Sequence, residues 1–474
     1  MKSTLLALLC VALGGDVMAA AAKAPNILFL FADDQCHETI RALGHTDIDT
    51  PNLDRLVRRG TTFTHAYNMG SWSGAVCVAS RTMLFTGRSL WRAHAIYDTT
   101  EAEREAGRLW PQMMSRAGYA TYFTGKWHLK ADAAKAFDVT RHIRPGMPND
   151  TPEGYNRPLA GQPDPWNPSD PRFGGFWAGG KHWSEVAAED ALEFLDAAKQ
   201  DAKPFFMVVA FNAPHDPRQS PQEYVDRYPL ARIAVPKNFL PEYPHRDAIG
   251  CGATLRDEKL GPFPRSEHAV KVHRQEYYAL ITHLDAQIGR VLEALDRSGQ
   301  ADNTWVFFTA DHGLAVGHHG LFGKQNMYDH SLRVPFVVTG PGVKAGARNR
   351  TPIYLQDVMA TALDLAGAPK PGEVEFHSLL PLLRGTESPD SREAIYGAYL
   401  ELQRAVVHDG WKLILYPRAR VARLYHVAAD PDERRDLAAE PAHADRRRAL
   451  FQRLRALQQE LADPLDLTTA FPPL

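Results

Sequence analysis

Apolar residues follow two rhythms along this chain. Short unbroken runs occur at Asn26 to Phe31 (NILFLF), Tyr119 to Thr124, Phe205 to Phe211 (FFMVVAF), Trp305 to Thr309 (WVFFT) and Val334 to Thr339. Such runs predict strands buried on both faces of a sheet. Between them the spacing is helical. Thr50 reads as an N-cap, Pro51 as the first helical residue and Gly60 as the stop, with Leu53, Leu56 and Val57 on one face. Pro111 to Ala117 is a short helix ended by Gly118, and Ser184 caps a helix running to about Lys199. His268 to Arg297 carries Leu280, Ile281, Leu284, Ile288, Val291, Leu292 and Leu295 at helical intervals before Gly299. The alternation predicts an α/β fold with a large, mostly parallel, helix-flanked sheet. Four of the strands run into polar clusters: Asp33-Asp34, Lys126 with His128, His215, and Asp311-His312. In sheets of this kind the site lies beyond the carboxyl ends of the strands.

The pattern changes twice. Residues 143–183 are rich in Pro, Gly and Trp, lack periodicity, and read as a long surface excursion. After a helix near Leu355 to Ala366, short strands follow at Ile395–Tyr399, Ala405–His408, Lys412–Tyr416 and Leu424–His426, then a helix over Ala444 to Leu461. This predicts a small antiparallel C-terminal subdomain with a helix. At the other end, Lys2, the apolar run Leu5 to Leu13 and the small residues Ala19 to Ala22 form a signal-peptide pattern too short to span a bilayer. Leu9 before Cys10 is too large for a lipobox. The expected division is therefore a signal peptide over 1–22, a main α/β domain over 23–385 and an α+β subdomain over 386–474. An exported bacterial protein follows, periplasmic or secreted, with no stable membrane insertion.

Composition narrows the function. In 474 residues, 54 Lys and Arg face 56 Asp and Glu, a net charge of −2. That excludes a nucleic-acid binder working through bulk positive charge, and an acidic disordered tail protein. Four cysteines in so long a chain exclude a disulfide scaffold. Cys36 and Cys251 read as free structural thiols, although an oxidising compartment leaves a pairing open.

The acidic strand ends suggest chemistry. If both strands are central, Asp33, Asp34, Asp311 and His312 converge, and three crowded carboxylates need a compensating cation. Oxygen-rich ligation favours Ca²⁺ or Mg²⁺ over zinc. A plainer account also holds, in which Asp33 and Asp34 cap the next turn and His312 is a core histidine. The segment Cys77 to Arg88 reads as a helix starting near Cys77 and stopped by Gly87, so Cys77 sits where free N–H groups attract anions, with Arg81 one turn on. A lone cysteine is also commonly just a buried thiol.

Cys77-Val-Ala-Ser-Arg81 followed by Leu84-Phe-Thr-Gly87 resembles the signature of the formylglycine-dependent type I sulfatases, in the alkaline phosphatase superfamily; Ala79 stands where that family usually has Pro. Asn26 to Asp34, Thr50-Pro-Asn-Leu-Asp54, Gly125-Lys-Trp-His128, Pro214-His215, Thr309-Ala-Asp-His-Gly313, His319-Gly320, Gly323-Lys324, Arg333-Val-Pro335 and Leu424 to Pro431 match in order. The resemblance implies that a formylglycine-generating or anaerobic sulfatase-maturating enzyme oxidises Cys77 to formylglycine. One hydroxyl of the hydrated aldehyde attacks sulfur, and the second helps expel sulfate. It further implies that Asp33, Asp34, Asp311, His312 and the modified Cys77 bind the cation, Ca²⁺ with Mg²⁺ as the alternative. Asp311 also takes a proton from the attacking hydroxyl. Arg81 and Lys126 hold the modified side chain, His128 assists its deprotonation, and His215 and Lys324 contact sulfate, His215 protonating the leaving oxygen. His319 is read as structural. The implied substrate is a sulfated carbohydrate, with Trp166, Trp177, Trp183, Arg92 and His94 as candidates for sugar contact or for simple packing. The alternatives are a phosphonate or phosphate ester hydrolase, a choline or alkyl sulfatase, and a non-catalytic glycan-binding relative.

Overall fold

A computed structural model of the chain describes residues 24–146, 148, 151–386 and 391–472; the signal-peptide expectation for 1–22 lies outside the described residues. Eight strands form the central sheet: β1 (Asn26–Ala32), β2 (Thr61–Phe63), β3 (Ala120–Lys126), β4 (Val139–Arg144), β5 (Phe205–Ala210), β6 (Thr304–Ala310), β7 (Phe336–Thr339) and β8 (Ala347–Asn349). Their order is β8-β2-β7-β6-β1-β5-β3-β4. The contiguous set β6, β1, β5 and β3 is parallel throughout. Every residue of these four strands is buried, which is why the sequence shows unbroken apolar runs there rather than alternation. Only β7 runs against its neighbours β6 and β2.

The expected single strand over Val334 to Thr339 is two. Arg333–Val334 pairs with Ala66–Tyr67 in a separate three-stranded sheet, and Phe336–Thr339 is β7. Pro335 lies between them, and with no N–H to give a ladder it marks the point where the chain changes sheets.

Five longer helices matter here: α1 (Pro51–Arg59), α2 (Val76–Thr86), α3 (Trp183–Ala198), α4 (Glu267–Ser298) and α5 (Ala444–Glu460). Both α1 and α3 pack on α4. The α4 helix is bounded by Ser266, whose side chain accepts from the Ala269 N–H, and by left-handed Gly299. At α3 the expected cap Ser184 lies inside the first turn; the His182 side chain takes its place and accepts from the Ser184 N–H. The excursion after β4 is tied down rather than loose. Arg157 pairs with Asp164 within it and with Glu276 of α4.

The C-terminal strands β9 (Ala394–Tyr399), β10 (Gln403–His408), β11 (Trp411–Tyr416) and β12 (Val421–Tyr425) form an antiparallel meander covered by α5. Its fifth strand comes from far away in sequence. Gly70–Ser71 pairs in parallel with Ala398 and Tyr399, so this sheet reaches the segment that leads into α2. Buried Lys412 of β11 adds a second tie, to Asp329 and Glu433.

Gly125, just before the end of β3, has φ +95°, and a Cβ there would lie 1.9 Å from the Ala210 carbonyl oxygen of β5. Strain and clash act together, so Gly125→Ala is expected to destabilise by about 3 kcal/mol or more. The control Gly372→Ala, which meets nothing within 4 Å, is expected to change stability by no more than about 0.5 kcal/mol. Denaturant midpoints of the two variants check this; equal midpoints would refute the close approach.

Candidate active site

All four polar clusters predicted at strand ends lie on one edge of the sheet, because β1, β3, β5 and β6 run in the same direction. The ladder is extended one step beyond the strands: Asp33 N–H donates to Ala213 O (3.0 Å), Asp311 N–H to Ala32 O (3.2 Å) and Asp34 N–H to Asp311 Oδ1 (3.0 Å). Asp34 (φ 67°) and His128 (φ 64°) are in the left-handed region. Non-glycine residues hold that conformation at a cost of about 1–3 kcal/mol, and such residues cluster at functional sites.

Cys77 is the second residue of α2 and is buried, as is the whole helix. Its Sγ lies 3.2 Å from Asp33 Oδ1, 3.7 Å from Asp34 Oδ1 and 3.4 Å from Lys324 Nζ. Arg81, one turn on, donates from Nε to Asp311 Oδ2 (2.9 Å) and reaches Asp33 at 3.7 Å. Lys126 Nζ donates to Asp33, and Lys324 Nζ to Asp34. His215 Nε2 sits 2.9 Å from Lys324 Nζ and 3.3 Å from Asp34, while its Nδ1 lies 2.8 Å from Asp216 O. Three carboxylates and three cations thus share one desolvated volume around a thiol.

Their protonation follows from burial and neighbours. Desolvation, aided by Asp311, raises Asp33 to about 6 and lifts Asp34 well above the usual carboxylate range. Asp311 is buried too, but Arg81 and Lys126 hold it below that range. Burial, then Asp311, Asp33 and Asp34, pushes the Cys77 thiol well up, so the sulfur stays protonated at neutral pH. Burial and the Lys324 cation push His215 well down. It is therefore neutral, and the arrangement fits Nδ1–H donating to Asp216 O while Nε2 accepts from Lys324. His128 is pushed down to about 2 by burial, Lys126 and Arg81, and its Nδ1 has no hydrogen-bond partner among the described residues.

Ligand atoms of Asp33, Asp34, Asp311 and Cys77 all lie within 4.8 Å of one another. Hard carboxylate oxygens in that number fit a divalent cation of the Ca²⁺ or Mg²⁺ type. His312 is not brought into this group. It is buried, its Nδ1 lies 3.1 Å from Gly313 O, and burial lowers it to about 4.

The tryptophans suggested for sugar contact each pack against a neighbouring side chain. Trp166 stacks on Phe173 with centroids 4.8 Å apart, Trp177 meets His182 edge-on, and Trp183 lies under the Arg144 guanidinium at 3.5 Å. Arg92 pairs with Glu375. Cys36 and Cys251 are free and buried. Three site neighbours carry no signal in the sequence. Asn68 holds the Asp311 carbonyl through its side-chain N–H. Asp257 lies 3.9 Å from Lys324. Gln325 spans from Asp257 (2.8 Å) to Gly74 O (3.0 Å), fixing the turn before α2. Asn68 and Gln325 lie in loops and Asp257 opens a single 3-10 turn, where no periodicity marks a residue.

With this geometry established, comparison with known proteins is direct. The sulfatase family profile matches residues 25–368, and a profile for the C-terminal part of N-sulphoglucosamine sulphohydrolase matches 317–460. The N-acetylglucosamine-6-O-sulfatase of Bacteroides thetaiotaomicron is 25% identical, with 93% of this chain and 87% of that protein covered. A structure determined in complex with its substrate D-glucosamine-2-N,6-O-disulfate superimposes with a TM-score of 0.73 at 22% identity, covering 93% of this chain and 99% of that one. The phosphonate monoester hydrolase of Agrobacterium radiobacter superimposes at 0.70 and 20% identity, over 92% of this chain and 96% of that one. Among the described residues no helix is long and apolar enough to cross a membrane. The chain belongs to the sulfatase family, with its alkaline-phosphatase-like fold, and is a sulfuric ester hydrolase.

Proposed function

We propose that this sulfatase hydrolyses a sulfate ester on a carbohydrate, with Cys77 in its formylglycine form as nucleophile and a divalent cation, Ca²⁺ or Mg²⁺, beside it. The observation that carries the reading is the setting of Cys77: a thiol held protonated among three carboxylates, with Lys324 3.4 Å from its sulfur. A thiol there is a poor nucleophile and a poor ligand, so an unmodified cysteine is out of place. Conversion to an aldehyde hydrate replaces it with oxygen, which suits the same carboxylates and cations. When present, the cation neutralises charge on the sulfuryl oxygens while the hydrate supplies the attacking hydroxyl.

Charge balance supports the pairing. Asp33, Asp34 and Asp311 are offset by Arg81, Lys126 and Lys324, so the protein's own groups come close to neutral. Two further positive charges match a sulfate monoester anion together with a deprotonated nucleophile. Within this arrangement Asp33, Asp34, Asp311 and the modified Cys77 would hold the cation, with His312 as an outlying fifth candidate. Arg81 and Lys126 fix the nucleophile through the aspartates they already bind. Lys324 faces the sulfuryl group. The proton for the leaving oxygen is delivered by His215 Nε2, which takes it from Lys324 Nζ 2.9 Å away. Neutral His128, with an unused Nδ1, is the base for releasing sulfate. Carbohydrate as substrate class rests on the relatives, which include the N-acetylglucosamine-6-O-sulfatase and the glucosamine disulfate complex. The signal-peptide pattern supports export.

Three outcomes test this. Mass spectrometry of the Cys77 peptide from protein co-expressed with a maturase is expected to show the aldehyde, and Cys77→Ala is expected to lose at least about 10³-fold in kcat/KM, comparable to losing a catalytic nucleophile. Rates on sulfate esters are expected to exceed those on matched phosphate esters; the reverse would favour the phosphonate or phosphate hydrolase reading. His215→Ala is expected to slow a sugar sulfate far more than 4-nitrophenyl sulfate, by about 10² against under tenfold, because only the sugar alkoxide needs a proton to leave. Equal losses would remove the pair from leaving-group protonation.

A pH effect follows from Asp33. Its folded pKa of about 6 lies above the unfolded value. The cation-free fold is therefore favoured by protonation: that stabilisation is complete below pH 4 and is lost as pH rises through 6. Cation binding requires the ionised form. Added Ca²⁺ is expected to raise Tm more at pH 7.5 than at pH 5, with affinity falling up to about tenfold per pH unit below 6. An equal Tm gain at both values would show that Asp33 does not hold the cation.

A further inference from the structure

A second cavity, of about 540 Å³, lies between the segment that leads into Cys77 and the C-terminal sheet. Its lining includes the aromatic side chains Trp72, Trp91 and His94 and the aliphatic side chains Leu400, Leu402 and Leu465. One side of the cavity is tied to the strand that leads toward Cys77. Leu400 N–H donates to Ser71 O (2.9 Å), in the strand pairing that joins Gly70–Ser71 to β9. Trp72 follows directly and lies five positions before Cys77, which limits the two Cα atoms to about 17 Å. The turn between them, Ser73 to Ala75, reaches the surface.

The wall chemistry selects the ligand. Trp72 and His94 stack nearly parallel, with centroids 5.2 Å apart. Trp91 is half-buried and fixed, its Nε1–H donating to Tyr396 OH (2.9 Å) and the Arg404 guanidinium lying over its ring. Aromatic and aliphatic side chains brought together in one cavity suit the C–H faces of a pyranose ring. The charges suit an uncharged one. Arg404 is fully engaged by Asp463 and by the Leu400 and Gln403 carbonyls, which leaves exposed Glu401 and Asp466 at the rim. Carboxylates there repel a second sulfate.

We propose that this cavity is a subsite for an unsulfated, uncharged sugar residue adjoining the one that carries the scissile sulfate. The inference rests on the carbohydrate reading above and names the neighbouring unit that reading leaves open.

The test compares kcat/KM for three compounds: a sulfated disaccharide with a neutral neighbouring sugar, the same disaccharide with a second sulfate on that neighbour, and 4-nitrophenyl sulfate, which reports the catalytic centre alone. For fully modified wild-type protein, the neutral-neighbour disaccharide is expected to exceed the doubly sulfated one by at least tenfold. Trp91→Ala is expected to lower the ratio of neutral disaccharide to aryl sulfate about tenfold, mainly through KM. Because Trp91 also packs under Arg404, the exposed Glu401→Arg serves as the second variant. It is expected to narrow the preference against the doubly sulfated neighbour by at least threefold with unchanged Tm. Unchanged ratios in both variants would overturn the subsite while leaving the carbohydrate reading intact. Wild-type turnover of the aryl sulfate with none of any sugar sulfate would overturn both.

Discussion

Three carboxylates and three cations buried together at the ends of parallel strands are the arrangement on which this molecule depends. Taken singly, none of these groups tolerates that depth: desolvation alone drives Asp33 and Asp34 toward the neutral acid. They are held there because β1 and β6 are adjacent and in register, Ala32 opposite Ala310, so that Asp33, Asp34 and Asp311 leave the sheet side by side. The cations are delivered by different elements: Lys126 from β3, Arg81 from one turn inside α2, Lys324 from a loop. A sheet buried on both faces supplies the stiffness. Removing any one partner would leave an uncompensated charge, which costs several kcal/mol in such surroundings.

The same crowding sets the chemistry. A sulfate ester is a weak electrophile surrounded by negative oxygen, and its attack by another anion needs positive charge fixed in advance. The side chains come nearly to neutrality on their own, so any added positive charge is available to the reacting group rather than spent on the protein's own acids. The neutral imidazoles His215 and His128 fit this economy of charge. Burial, and then the lysine or arginine cations near each, keep them unprotonated.

Much of this was legible in the chain, and the part that was not has a physical reason. The four central strands declare themselves because burial on both faces leaves no polar position until the strand ends, which is also why Asp33, Lys126, His215 and Asp311 stand out. The signature around Cys77 is local and contiguous, so its helix and its Gly87 stop are read directly. What escapes is whatever depends on a side chain replacing a backbone preference, or on partners distant in sequence. His182 caps α3 where Ser184 has the better propensity, because an imidazole positioned by Phe176 can accept the same N–H. Pro335 splits a run that hydrophobicity alone presents as one strand. Asn68, Asp257 and Gln325 sit outside the periodic elements and acquire meaning only from partners distant in sequence: Asp311, Lys324 and Gly74. The tryptophans of the excursion are legible as residue types, but their partners Phe173, His182 and Arg144 are set by the fold.

The parallel pairing of Gly70–Ser71 with the first strand of the C-terminal meander has a bearing on time as well as shape. A chain that emerges from its amino end exposes the thiol-bearing segment early, yet the partner of the strand just before it is made roughly 300 residues later, on the order of half a minute at ordinary rates of translation. Throughout that interval one edge of the segment stays open. That edge closes only when the last sheet to be synthesised pairs with it.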